Sequence, residues 1–157
     1  MSELNRKLIK NWLKKSALEE KPFDKFIALW IGYNGFYSNF FENGGDREKA
    51  ITKMGNHLEL KRLFEDDDGI NPKVEEFFKL IEGRKDELGI GVKDLKKNKI
   101  VDIKREKGLK NFLKLIYTIR CNLFHGDKDI YGGRDDKLVL LAYEALYEIF
   151  SKFIKDS

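Results

Sequence analysis

Apolar residues recur at intervals of three and four along most of the chain, the period of helices that bury one face. Leu4, Leu8, Ile9, Trp12 and Leu13 mark a first helix over 3–20, and Arg6, Lys7, Lys10, Lys14 and Lys15 coat its other sides. Pro22 suits a first helical turn and opens a second helix that reaches about Phe41. Its sequence, PFDKFIALWIGYNGFYSNFF, is apolar nearly all round, so it is the expected centre of the core. Gly32 and Gly35 weaken its helix propensity and fit a place where another helix crosses closely. Beyond the loop ENGGD, residues Ile51, Met54, Leu58, Leu63 and Phe64 predict a third helix from about Arg47 to Glu65. Asn71 and Pro72 start a short fourth helix to about Glu82, with Val74, Phe77, Phe78 and Ile81 inward. A last helix over 135–155 carries Leu138, Leu141, Ala142, Ala145, Leu146, Ile149, Phe150 and Phe153 on a broad apolar arc.

Two stretches break this period. The acidic run Glu65 to Asp68 lacks the alternating ligands and closing glutamate of a calcium loop, and reads as a solvated turn. From Gly83 to Gly108 glycines divide the chain, and only KIVDIK at 99–104 alternates as a strand would, so an excursion with a small hairpin is expected there. The resulting expectation is an all-α, single-domain bundle of about five major helices over residues 1–157, with an irregular excursion before the penultimate helix.

That penultimate helix, in LKNFLKLIYTIRCNLFHGDKD at 109–129, changes the picture. At about 100° per residue, Leu109, Leu113, Ile116, Tyr117, Leu123 and Phe124 all fall within roughly 60° of Arg120. A guanidinium cannot shed its proton in such a stripe, so it requires an anion, a wet cleft, a partner surface or a reach to solvent. Asn122 and His125 fall on the other side with Lys114 and Thr118, and Gly126 stops the helix. Asn34 poses a similar question in the second helix, where its amide lies in line with Phe23, Ile27, Trp30 and Tyr37 and needs partners.

Composition narrows the chemistry. The chain is 41% hydrophobic and 37% charged, too apolar for disorder and too evenly charged for a membrane span. Its 12 Phe point to a core filled by aromatic bulk. One cysteine, Cys121, excludes an intramolecular disulfide and a cysteine zinc site and fits a reducing compartment; His57 and His125 show no metal-ligand spacing. No apolar run has signal-peptide or membrane-span length, and the simplest location is the cytoplasm. A net charge of +4 is mild, but lysines gather over 91–110. Lys96, Lys97, Lys104 and Arg105, with Lys110 and Lys114 on the following helix, are candidate contacts for a nucleic-acid backbone; the bland alternative is a solvated lysine-rich face.

The stretch IYTIRCNLFHG resembles the signature of the HEPN superfamily, helical domains of prokaryotic toxins and of RNA-processing and antiviral proteins, in the pattern R-x-N-x-x-H. Arg120, Asn122 and His125 match that pattern, and the aromatic helix around Trp30 and Asn34 resembles the first core helix of such domains. Residues 83–108 carry no part of the resemblance. It implies a metal-independent endoribonuclease, without cofactor, whose catalytic residues are Arg120, Asn122 and His125, with Trp30 and Asn34 as structural support. It also implies a homodimer that brings two motif helices together at a cleft, and a toxin or defence role with an antitoxin or other regulatory partner. Other members are noncatalytic RNA-binding or protein-interaction modules, which is the alternative reading.

The residue types permit the reaction. RNA carries its own nucleophile, the 2′-hydroxyl, so cleavage needs proton transfer and charge stabilisation rather than a metal-bound water. His125 can move a proton near neutral pH, Arg120 can hold a phosphate oxygen, and Asn122 can orient phosphate, ribose or imidazole. The expected ends are a 2′,3′-cyclic phosphate and a 5′-hydroxyl.

Overall fold

Ser2 opens the first helix: its hydroxyl accepts a hydrogen bond from the Asn5 amide at 3.1 Å, and α1 runs over Glu3–Leu18. A single residue, Pro22, then starts α2, Pro22–Phe40, in the position where a missing amide hydrogen costs nothing. The computed structural model describes residues 1–66, 69–83, 91–94, 99–102, 108–124 and 136–156. Within them the architecture is the all-α bundle that the periodicity predicts, with α4 at Pro72–Glu82, α5 at Leu109–Phe124 and α6 at Asp136–Asp156.

The helix α2 is the central element. Its aromatic residues Phe26, Trp30, Tyr33, Phe36 and Tyr37 are all buried, and Tyr33 and Phe36 meet the rings of Phe150 and Phe153 on α6. Such edge-to-face contacts add roughly 0.5–1.5 kcal/mol each to the burial of the rings. The helix α1 covers α2 along one side, where Gly32 permits the approach: a Cβ there would stand 3.3 Å from Trp12 Cβ and 3.5 Å from the Ile9 carbonyl oxygen. Only Ile9, Leu13 and Ser16 of α1 are buried, whereas Leu4 and Leu8 stay exposed, so its inward stripe is narrower than the sequence pattern.

The predicted third helix is not continuous. Glu48–Lys53 winds as a π-helix, the chain leaves helical geometry at Asn56 and His57, and α3 resumes over Leu58–Phe64. A Cβ at Gly55 would collide with the side chain of Lys110 at the start of α5, whose Cα would lie 3.4 Å from it, so α5 presses on this point. The His57 amide closes the turn by donating to the Met54 carbonyl at 3.1 Å.

The acidic run becomes a tight antiparallel pair, β1 Glu65–Asp66 with β2 Gly69–Ile70; Asp67 and Asp68 lie outside the described residues. Asn71 then caps α4 by accepting from the Lys73 amide at 2.9 Å, and Val74, Phe77, Phe78 and Ile81 are buried as the pattern requires. The excursion before α5 contains the expected small hairpin: β3 Gly91–Asp94 pairs antiparallel with β4 Lys99–Asp102. All eight apolar positions predicted for α6 are buried. Among the described residues no helix is long and apolar enough to cross a membrane.

Candidate functional site around Arg120

The helix α5 is buried more completely than a one-sided stripe would be. Phe112, Leu115, Thr118 and Ile119 join Leu109, Leu113, Ile116 and Tyr117 inside, and Asn122 is 7% exposed. The side predicted to be polar is thus partly core. Thr118 meets its needs locally by donating to the Lys114 carbonyl at 2.9 Å. Phe124, placed in the apolar stripe, is 48% exposed at the helix end.

Arg120 lies where α5 faces α2. Its guanidinium carbon is 4.9 Å from the Phe124 ring centre, 5.6 Å from that of Tyr117 and 5.9 Å from that of Trp30. Aromatic faces carry negative charge density and attract a cation, which holds a permanent charge here where no carboxylate among the described residues pairs with it. The contacts do not satisfy its hydrogen bonds. Nη1 reaches the Cys121 sulfur at 3.7 Å, a weak acceptor, and the buried Nε has no hydrogen-bond partner among the described residues. Trp30, itself buried, supplies one wall of this box and meets Tyr117 edge-on at 5.8 Å.

One turn before Arg120, the Tyr117 hydroxyl donates to Asp46 Oδ2 at 2.9 Å. Asp46 Oδ1 accepts from the Tyr37 hydroxyl at 2.6 Å and from Asn34 Nδ2 at 3.2 Å, while Asn34 Nδ2 also donates to the Tyr37 oxygen at 2.8 Å. This network is the partner set that the Asn34 amide demanded. Burial first, then the hydrogen bond to Asp46, raises the Tyr117 pKa to about 12; the same two causes push Tyr37 higher still. Both phenols therefore keep their protons at neutral pH and act as donors to the carboxylate. Arg47, beside Asp46, sets its guanidinium carbon 5.3 Å from the centre of the same Tyr117 ring.

The structure thus brings Arg120, Trp30 and Asn34 into one neighbourhood and puts Lys114 one turn upstream of Thr118 on the same helix. Lys110 sits against Gly55 at the other end of α5. His125, Lys96, Lys97, Lys104 and Arg105 lie outside the described residues. Sequence reasoning missed Asp46 and Arg47, which it assigned to a loop and a helix start. The available signal was the pair Asn34 and Tyr37, two polar groups three residues apart on an otherwise apolar helix. Among the described residues no group of three or more His, Cys, Asp or Glu side chains is placed to hold a metal ion. Comparison of the chain with protein-family models, curated proteins and solved structures gives no match.

Proposed function

We propose that the protein is an endoribonuclease acting without a metal, with Arg120 as its phosphate-binding cation. The observation that carries this reading is the state of Arg120. It is a permanent charge held in place by three rings, with a buried nitrogen that lacks a hydrogen-bond partner among the described residues. A phosphodiester oxygen fills that need, and the rings fix the guanidinium before substrate arrives.

In the proposed reaction the 2′-oxygen attacks the adjacent phosphorus, the bond from phosphorus to the 5′-oxygen breaks, and a 2′,3′-cyclic phosphate and a 5′-hydroxyl result. One proton leaves the 2′-hydroxyl and another reaches the 5′-oxygen. Tyr117 and Tyr37 cannot act as bases at neutral pH because their pKa values are raised, so His125 is assigned the proton transfer and Asn122 the orientation of substrate or imidazole. A homodimer juxtaposing two copies of α5 would furnish the second proton-transfer group, the partner subunit's His125. Within this proposal the protein is cytoplasmic and belongs to a toxin or defence system, restrained by an antitoxin or another regulatory protein.

Purified protein should cut single-stranded or loop RNA in the presence of EDTA, leave DNA of the same sequence intact, and yield cyclic phosphate ends identifiable by mass spectrometry. Arg120→Ala and His125→Ala should each remove most cleavage while the circular dichroism stays helical. The second reading, a noncatalytic RNA-binding or protein-interaction module, has its support in the same rings, since a guanidinium held by cation–π contacts also fits a packing role. RNA binding with no cleavage would select it.

A further inference from the structure

We propose that the cleft between the start of the π-helical segment and α5 is a second phosphate subsite, in which Arg47 and Lys114 hold the RNA backbone next to the phosphate at Arg120. The inference rests on the RNA reading of the same site and deepens it by giving the strand a direction: from Arg120, past Tyr117, toward Arg47.

The cleft has a volume of about 630 Å³ and is lined by Asp46, Arg47, Glu48, Thr52 and Lys114 among others. It adjoins the candidate site through one side chain. The guanidinium carbons of Arg47 and Arg120 lie 5.3 and 5.6 Å from the centre of the Tyr117 ring, so they stand no farther apart than those two distances together. A single RNA strand presents a phosphate at every nucleotide, so neighbouring phosphates can meet neighbouring cations of this kind.

The charges in the cleft are unequally committed. Asp46 spends both carboxylate oxygens on Tyr37, Tyr117 and Asn34. Arg47 and Lys114 spend nothing comparable: the ion pairs among the described residues join Lys15 with Glu19, Arg62 with Glu59, Lys73 with Glu76 and Glu144, and Lys152 with Glu148, all elsewhere. Both cations are exposed and accessible to a ligand. Arg47 is also oriented by its contact with the Tyr117 ring, which limits the entropy lost when it grips a phosphate. Thr52 adds a hydroxyl to the lining. Two carboxylates oppose an anion here: Asp46, which keeps its charge although its oxygens are turned to Tyr37, Tyr117 and Asn34, and Glu48, whose carboxylate lies back near Gly44. A phosphodiester contacted in this way is held without regard to base, so the subsite confers affinity and register rather than sequence preference.

The test uses the full chain and a fluorescent, mixed-sequence 2′-O-methyl oligoribonucleotide, which binds as RNA does but cannot be cleaved. Its affinity is measured by anisotropy over a series of salt concentrations. The double variant Arg47→Ala, Lys114→Ala should weaken binding by roughly tenfold or more and flatten the plot of log affinity against log salt by about 0.7 for each cation removed, the slope for a single strand. Lys10→Ala with Lys14→Ala removes the same charge from α1 and should change neither as much. Glu48→Gln should tighten binding. Lys114→Ala alone covers the case in which loss of Arg47 disturbs the fold, because the Lys114 side chain is exposed.

Unchanged affinity and slope in the double variant would overturn the subsite, as would an equal loss in the α1 control or the absence of binding by the unaltered protein. The ribonuclease reading fails separately. If binding depends on Arg47 and Lys114 but natural RNA is never cut, the subsite stands and the enzyme does not. If cleavage proceeds, the double variant should raise KM and leave kcat within about twofold.

Discussion

Two basic side chains, His57 and Arg120, each rest among aromatic rings and each keep a buried nitrogen without a hydrogen-bond partner among the described residues. His57 meets Phe153 at 4.8 Å, Phe40 at 5.6 Å and Phe36 at 6.5 Å between ring centres. Burial lowers its pKa, so the imidazole is neutral in the fold and packs as another ring. Arg120 has no such escape. A guanidinium stays charged in any protein environment, so a lack of partner that a neutral histidine tolerates makes Arg120 the better candidate for contact with an anion. Similar surroundings thus separate a packing residue from a candidate binding residue by whether the proton can be given up.

That distinction can be broken most forcefully at the histidine end. Phe153→Ala should cost about 3–5 kcal/mol in denaturant unfolding, because it empties a fully packed site at the junction of α2 and α6. RNA cleavage per folded molecule should be unchanged. A variant that kept its stability but lost cleavage would show that the two aromatic neighbourhoods are one functional unit.

At the arginine end the effect should move from stability to rate. Arg120→Ala is expected to reduce cleavage by about 10²–10³ fold, the scale for losing one donor to a developing charge, with a much smaller change in melting temperature. Arg120→Lys keeps the charge but loses the planar fork, and should recover little of the rate. Full recovery would reduce the role of Arg120 to net charge.

Asp46 connects the two kinds of behaviour. Asp46→Ala deprives the Tyr37 and Tyr117 hydroxyls of their acceptor and should destabilise the fold by about 1–3 kcal/mol, read in denaturant. It should also bring the Tyr117 pKa down, measurable by ultraviolet titration of the phenols against the unaltered protein. A titration curve identical to that of the unaltered protein would remove Asp46 from the control of Tyr117.

The smallest effect concerns pH. Because the His57 pKa in the fold lies below its ordinary 6.5, the unfolded chain takes up the proton first as pH falls. Its contribution to stability is constant above about pH 7 and is lost as pH drops from the unfolded pKa through the folded one. Between pH 7 and 5 the unfolding free energy should therefore decline less steeply in His57→Gln than in the unaltered protein. Equal slopes would mean that the fold leaves the His57 pKa where it lies in the unfolded chain.

The helices were legible because each carries its instruction locally. The starts of α1, α2, α4 and α6 follow from the period and from Pro22 and the Asn71-Pro72 pair, and the structure places them close to where the sequence does. The break in the third helix was not read from the sequence although Gly55 stands beside it, and the reason for a glycine there, the close approach of Lys110 55 residues further along, is not local. Arg120 advertised itself as a charge in an apolar stripe. Asp46 and Arg47 gave no sign of their own: Asn34 and Tyr37, 12 and 9 residues before Asp46, only showed that a polar partner was needed, and the contacts with Tyr117, 71 residues after Asp46, lie in no window of sequence. The polar side assigned to α5 failed for a related reason, because helical spacing tells which residues share a face but not whether a second layer covers it.

The π-helical segment Glu48–Lys53 behaves as a phase shift between the core and the cleft. Downstream of it Met54 is locked inside the bundle, and within it the Ala50 carbonyl accepts the buried Tyr33 hydroxyl at 2.7 Å. Upstream of it stand Asp46 and Arg47. Deleting one residue between 48 and 53 would let an ordinary α-helix close, and would turn everything upstream by about 100° about the axis while Met54 kept its place. Arg47 would then leave the Tyr117 ring. The shape of this cleft wall therefore depends on the length of the segment as well as on the side chains that line it.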